Sequence, residues 1–180
     1  MLFEEKTMKS DKVYEGKIVN LRIDTVELPD KKYSKREIVE HPGAVGLIPI
    51  TEDNCVILVK QFRKPVEKFL LEIPAGKLEL NEEPRETAIR ELKEETGFEA
   101  GKIEYLLEFY TSPGFSNEKI HLFLATDLIE GEAIPDSGEF VEKVKISIED
   151  LLKMVDRGEI VDSKTIIGIN LADKYINKKK

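Results

Sequence analysis

The sequence predicts an α+β fold, a mixed β-sheet flanked by helices, and the prediction rests on how its apolar residues are spaced. Seven short segments carry strand patterning and three carry helical periodicity. Successive strand segments are mostly joined by short turns rather than by helical crossovers, which argues against a doubly wound parallel sheet. At 180 residues the chain is long enough to bury a core without disulfides or structural metals.

Alternating or continuous apolar runs place strands at Lys17–Leu28, Ala44–Ile50, Cys55–Gln61 and Phe69–Ile73. The turn Thr51-Glu52-Asp53-Asn54 has the residue types of a hairpin loop. The first helix spans Pro84–Thr96, because Pro84 suits the opening helical position and Gly97 the position just past the end. Further strands are expected at Ile103–Phe109, Ile120–Thr126 and Phe140–Ile146. A second helix spans Ile148–Arg157, with Ser147 as N-cap, Asp150 as the capping-box acid and Gly158 as the stop. A third spans Ser163–Tyr175, and the terminal Lys178–Lys180 is expected to fray.

Net charge is −8, which argues against nucleic-acid binding, since that usually needs a basic face. No apolar run approaches the roughly 18 to 20 residues of a membrane span. The N-terminus MLFEEKTMKSDK mixes acids and bases and has no signal-peptide stretch, so a cytoplasmic protein is expected. The lone cysteine, Cys55, cannot form an intrachain disulfide and reads as a buried small hydrophobe.

The acidity is concentrated between Glu79 and Glu99. Stepping about 100° per residue puts Ala88, Ile89, Leu92 and Thr96 on a face that can pack against the sheet. Glu91, Glu94 and Glu95 share the neighbouring arc. Like charges three or four apart on a helix each cost roughly 0.2 to 0.5 kcal/mol, and the C-terminal end of the helix dipole adds to the penalty for Glu94 and Glu95. Arg90 can offset part of this by pairing with Glu94 or Glu86, and Lys93 can contribute. Clustered carboxylates far from His41 and His121, the chain's two imidazoles, suit a hard cation such as Mg²⁺ or Mn²⁺. Most Glu-rich helices are merely solvated acidic faces.

The spacing here goes further. From Gly76 to Phe98 the chain has a Gly, a Glu six later (Glu82), then Arg90-Glu91-Leu92-Lys93-Glu94-Glu95-Thr96-Gly97-Phe98. This resembles the Nudix box at every fixed position, with Phe98 the loosest match. The resemblance implies a Nudix-like α/β/α sandwich that hydrolyses a pyrophosphate bond with Mg²⁺, for which Mn²⁺ can substitute. It implies that Glu91 and Glu95 are the principal metal ligands, that Glu94 shares the metal or bridges to it through water, and that the Ala75 carbonyl is a further ligand. Glu95 is thereby also a catalytic residue. Gly76 is expected to allow a backbone conformation or close approach that a Cβ would obstruct. Glu82 and Arg90 are expected to support the loop–helix–loop.

Outside the box, Gln61-Phe62-Arg63, Leu71-Glu72-Ile73-Pro74-Ala75-Gly76 and Ser112-Pro113-Gly114-Phe115 resemble the ADP-ribose pyrophosphatases of this superfamily, with Pro113 lying 16 residues past Gly97. By that resemblance residues 1–42 are an N-terminal antiparallel β extension for dimerisation and substrate contact, and 43–177 are the hydrolase domain. Arg36, Glu37, Arg63, Pro113 and Gly114 become candidate substrate contacts, the two arginines through guanidinium forks on the diphosphate. Glu72 and Glu118 are candidates for additional metal or ribose contacts, and Tyr33 or Phe115 for stacking on adenine. The expected reaction converts ADP-ribose and water to AMP and ribose 5-phosphate in a homodimer. A broader hydrolase of ADP-sugars and other nucleoside diphosphate compounds is the first alternative, and a nucleotide-sensing regulator without catalysis the second. A general base is still needed, from a loop that can close over bound substrate. The stretch from Ile134 to Glu142 offers Glu139 first and Glu142 second.

Overall fold

Strand structure at the N-terminus extends beyond the one apolar run that predicts it. The computed structural model describes residues 3–133 and 140–178. Residues 1–43 and 109–119 form one unit, and residues 44–108 and 120–180 a second. In the first unit, β1 (Lys6–Glu15), β2 (Asn20–Glu27) and β3 (Tyr33–Glu40) make an antiparallel sheet in that order. β1 is exposed at every position, so it has no inward apolar face to announce it. β2 carries buried Asp24 and Val26. Asp24 is satisfied by the Ser10 hydroxyl at 2.6 Å and by Arg22, which also pairs with Glu40. Residues 109–119 join this unit through backbone bonds between Val39 and both Phe115 and Asn117, at 2.8 and 3.2 Å.

The second unit contains the remaining elements. A four-stranded sheet has the order β7 (Ala75–Lys77), β4 (Ala44–Pro49), β9 (Lys119–Glu130), β8 (Phe98–Tyr110), with β4 parallel to β9 and antiparallel to β7. A three-stranded antiparallel sheet has the order β10 (Val141–Ser147), β5 (Cys55–Arg63), β6 (Lys68–Glu72). Helices α1 (Pro84–Thr96), α2 (Ile148–Asp156) and α3 (Ser163–Lys178) complete it.

Period-two alternation on β4 and β9 splits the core into two layers. Val45, Leu47, Phe123 and Ala125 pack with Ala88 and Leu92 of α1. Ile48, Ile50, Leu122 and Leu124 pack with Leu151 of α2 and with Ile169, Ala172 and Ile176 of α3. The sheet therefore lies between α1 and the α2–α3 pair, an α/β/α sandwich. Burying each such Leu or Ile contributes roughly 1.5 to 3 kcal/mol, so α1 is anchored by its apolar stripe whatever its carboxylates do.

Caps fall largely where the residue types place them. Ser147 Oγ accepts the Asp150 N–H at 3.2 Å and donates to the Asp150 carboxylate at 2.9 Å. Gly158 follows α2 at φ 69°. α3 continues to Lys178, so that residue is helical rather than frayed. Cys55 is only partly buried, because it begins β5 with its thiol beside Asp53; burial and that carboxylate push the thiol pKa up. Among the described residues no helix is long and apolar enough to cross a membrane.

Candidate active site

Helix α1 begins at Pro84 and ends at Gly97, which sits at φ 76° and returns its N–H to the Lys93 carbonyl at 2.9 Å. Its buried face consists of Thr87, Ala88, Glu91, Leu92, Glu95 and Thr96. Ile89, expected on that face, is 39% exposed. At about 100° per residue the buried positions 87, 88, 91, 92, 95 and 96 span an arc centred near Ala88 and Glu95, and Ile89 falls at its rim, about 20° beyond Thr96. The centre of that arc is held by Glu95 and Ala88, with Glu91 beside them.

Glu91 and Glu95 are thus nearly enclosed carboxylates, with relative exposures of 8% and 4%. Such groups are costly to bury unless charge-assisted hydrogen bonds or a cation offset the desolvation. Glu95 Oε2 accepts the Ala75 N–H at 3.0 Å, which ties the helix to the strand that precedes it. Glu91 lies directly against Gly76, where an added Cβ would fall 1.8 Å from its Cδ and Oε1. Gly76 is needed for close approach rather than for a left-handed backbone, since its φ is not among the positive ones.

Arg90 organises the acids around it. Its Nη1 donates to Glu91 Oε1 and Glu94 Oε2, both at 2.8 Å, and its Nε and Nη2 donate to the two oxygens of Glu82, both at 3.1 Å. The Arg90 hydrogen bond is the main reason that the Glu82 carboxyl titrates at about 2, and the same bond pushes the Arg90 pKa up. Of the two expected partners Arg90 takes Glu94 and not Glu86, whose near neighbour is Arg85 at 3.9 Å. Lys93 turns away to Glu99 at 2.7 Å.

A second charged group borders this one. Arg63 makes a two-pronged bond to Glu72, 2.7 Å from Nε and 2.9 Å from Nη2, and Lys164 holds the same carboxylate from α3. Burial pushes the Glu72 carboxyl up, but the hydrogen bonds from Arg63 and Lys164 outweigh it and hold the group below the usual range. The Glu72 hydrogen bond raises the Arg63 pKa, with a smaller contribution from the charge of Glu95. Lys164 and its neighbours were not anticipated. Asp162-Ser163-Lys164-Thr165 at a helix start signals an N-cap, yet nothing in that spacing points to Glu72, 92 residues earlier.

The other candidates are placed as follows. Arg36 lies on β3, 2.8 Å from Glu5 through Nε, and its Nη1 donates to the Ser34 hydroxyl at 2.9 Å. Glu37, Pro113, Gly114, Tyr33 and Phe115 are exposed residues of the same N-terminal unit. Glu118, also in that unit, accepts from the Thr111 hydroxyl at 2.7 Å. Glu142 is exposed on the edge strand β10, opposite Lys60. Glu139 lies outside the described residues. Among the described residues no three carboxylate, imidazole or thiolate groups converge as a ready-made metal centre. Arg90 faces Glu91 and Glu94, and Ala75 faces Glu95, so the acid cluster is offset by protein donors. The donor set is nevertheless all oxygen and largely enclosed, a chemistry that fits a hard divalent cation.

The NUDIX domain family matches residues 40–166, most of the chain and all of this site's second unit up to α3. The chain belongs to the Nudix family. Nudix hydrolases generally use divalent metal ions. Among its relatives are the methanol dehydrogenase activator of Bacillus methanolicus, 50% identical over 170 residues (93% of this chain and 92% of that one), and the ADP-ribose pyrophosphatase of Bacillus subtilis strain 168, 50% identical over 168 residues (92% and 91%). The solved structure of an ADP compounds hydrolase superimposes with a TM-score of 0.87 at 20% identity, covering 99% of this chain and 97% of that one. The family match and that likeness together establish the Nudix fold, and α1 is the helical part of the box described above.

Proposed function

We propose that this Nudix pyrophosphohydrolase hydrolyses ADP-ribose to AMP and ribose 5-phosphate. One observation carries the reading: Glu91, Glu94 and Glu95 are gathered around Ala75, Gly76 and Arg90 in a chain 50% identical, over 168 residues, to a protein named ADP-ribose pyrophosphatase. The name of the Bacillus methanolicus relative describes an effect on another enzyme and not a substrate, so it does not compete with nucleotide hydrolysis.

Glu91 and Glu95, with Glu94 and the Ala75 carbonyl, would hold Mg²⁺ or Mn²⁺. A cation there supplies charge stabilisation to phosphate oxygens and lowers the pKa of a water. The chain's own residues do the rest. A pyrophosphate resists water because the nucleophile meets negative charge, so positioned cationic donors lower the barrier. Arg63 borders the box, close enough for the charge of Glu95 to act on it, and its guanidinium suits a phosphate edge. The proton of the attacking water goes to a carboxylate, with Glu139 the first choice and Glu142 the second. In this reading the protein is a homodimer in which Arg36 and Glu37 of a second copy reach the substrate, and Pro113 and Gly114 contribute loop contacts.

The test compares turnover of ADP-ribose, ADP-glucose, diadenosine polyphosphates and nucleoside triphosphates with Mg²⁺. ADP-ribose is expected to have the highest kcat/KM. Slow ADP-ribose turnover beside fast triphosphate turnover overturns the substrate, and comparable rates on several ADP-sugars favour the broader hydrolase.

A further inference from the structure

Lys164 is a charged side chain in the core, 8% exposed, with no part in the chemistry above. A buried ammonium is tolerated when it is paired, and Lys164 is paired twice: with Glu72, and with Asp162 at 3.1 Å. Both partners are themselves fixed. Asp162 accepts the Thr165 N–H at 3.0 Å and the Thr165 hydroxyl at 2.5 Å, at the first turn of α3. Thr165 Oγ1 in turn accepts the Ile73 N–H at 2.8 Å. Two residues on, Ala75 donates to Glu95. The start of α3 is therefore bonded to both Glu72 and Ile73, the segment that leads into the box.

On the far side of Glu72 stands Arg63, its side chain 38% exposed, with Nε and Nη2 committed to the carboxylate. Nη1 takes no part in that pair, and in this reading it is the group that meets a phosphate. Lys164 bears on it through charge and through geometry. Without Lys164, Glu72 and Asp162 would put two carboxylates against one guanidinium, a net negative cluster beside an anion site. With it the four charges cancel, and Glu72 is gripped from behind so that the guanidinium plane is set.

We propose that Lys164 is a positioning residue: by holding Glu72 from α3 it orients Arg63 to receive the phosphates of the substrate. This rests on the reading that Arg63 contacts the diphosphate. It predicts that Lys164 governs affinity for a bare diphosphate, which a purely structural lysine would not.

The experiment measures inorganic pyrophosphate binding by calorimetry in EDTA, well below each protein's melting temperature, for the wild type, Arg63→Ala, Lys164→Met and Lys164→Arg. ADP-ribose kinetics are taken in parallel. Wild type is expected to bind, Arg63→Ala to lose binding, Lys164→Met to bind about tenfold more weakly, on the scale of one charge-assisted hydrogen bond, and Lys164→Arg to recover part of the loss. In kinetics Lys164→Met raises KM more than it lowers kcat. Wild-type pyrophosphate affinity in a folded Lys164→Met, a wild type that does not bind pyrophosphate, or a fall in kcat with KM unchanged overturns the proposal. If Lys164→Met does not fold, Lys164→Gln is measured against the same outcomes. A wild type that binds pyrophosphate with this variant pattern but does not hydrolyse ADP-ribose sinks the substrate and leaves the role of Lys164 standing.

Discussion

Gly76→Ala tests the closest contact in the site. The new methyl would lie 1.8 Å from the Glu91 carboxylate, about 1.6 Å short of ordinary contact at 3.4 Å. The Glu91 tip must swing away, and it is 8% exposed and held by Arg90 at 2.8 Å, so it cannot move without breaking that bond. Overpacking of this kind costs about 1 to 3 kcal/mol; a side-chain tip that can yield favours the low end. The functional cost is larger, because misplacing a reacting or ligating group by about 1 Å can lower a rate roughly 100-fold. Calorimetric melting in EDTA gives the first quantity, and ADP-ribose turnover across a Mg²⁺ series gives the second. A double-mutant cycle with Glu91→Ala isolates the mechanism: with the carboxylate gone, the methyl has nothing to displace, and most of the stability penalty is expected to vanish. An equal penalty in both backgrounds, or a Gly76→Ala enzyme with the wild-type rate and metal requirement, would refute the role assigned to this contact.

Glu95→Gln keeps an oxygen for the Ala75 N–H, so its melting temperature is expected to stay near wild type while Mg²⁺-dependent turnover falls at least about 100-fold; near-normal turnover would remove Glu95 from the ligand set. Glu139→Gln is expected to lower kcat while sparing Mg²⁺ binding by calorimetry, and an unchanged rate moves the base to Glu142, whose Gln variant is then decisive. Glu82 titrates at about 2 in the folded protein against an ordinary 4.5. Its folded pKa is depressed, so its contribution to stability is complete above about pH 4.5 and is lost as pH falls toward 2. Urea midpoints of wild type and Glu82→Gln are therefore expected to differ near neutrality and converge in that window; a constant difference down to pH 2 would exclude the linkage.

Residues with a strong local signature were legible in the chain. The bounds of α1 follow from Pro84 and Gly97, and its carboxylate spacing from counting alone. β1 and β3 were not legible individually, because β1 buries nothing and β3 alternates only weakly. β7 is three residues long and exists because β4 pairs with it. Ile89 was misplaced because it lies at the rim of the buried arc, just beyond Thr96, and that arc is centred on Ala88 and Glu95 rather than on the apolar side chains. The Arg63–Glu72 fork is not a directly opposed cross-strand pair, since Glu72 stands opposite Val59 and Arg63 opposite Lys68 in the register of β5 and β6; sequence spacing does not reveal it, and Lys164 arrives from a helix near the other end of the chain. Contacts made within one element could be read; those made between elements had to be observed.

The parallel pairing of β4 with β9 also dictates when this site can exist. Ala44 pairs with Ile120, and the floor beneath Ala88 and Leu92 needs both Leu47 and Phe123. The whole acidic motif is therefore synthesised, at Phe98, before the strand that supports it has left the ribosome. Until β9 docks, a long loop closure opposed by chain entropy, Glu91 and Glu95 belong to an unbacked amphipathic helix whose charges repel. Completion of the carboxylate cluster is thus expected to wait on β9, and a chain cut before Ile120 is expected to contain every residue of the motif without forming the site.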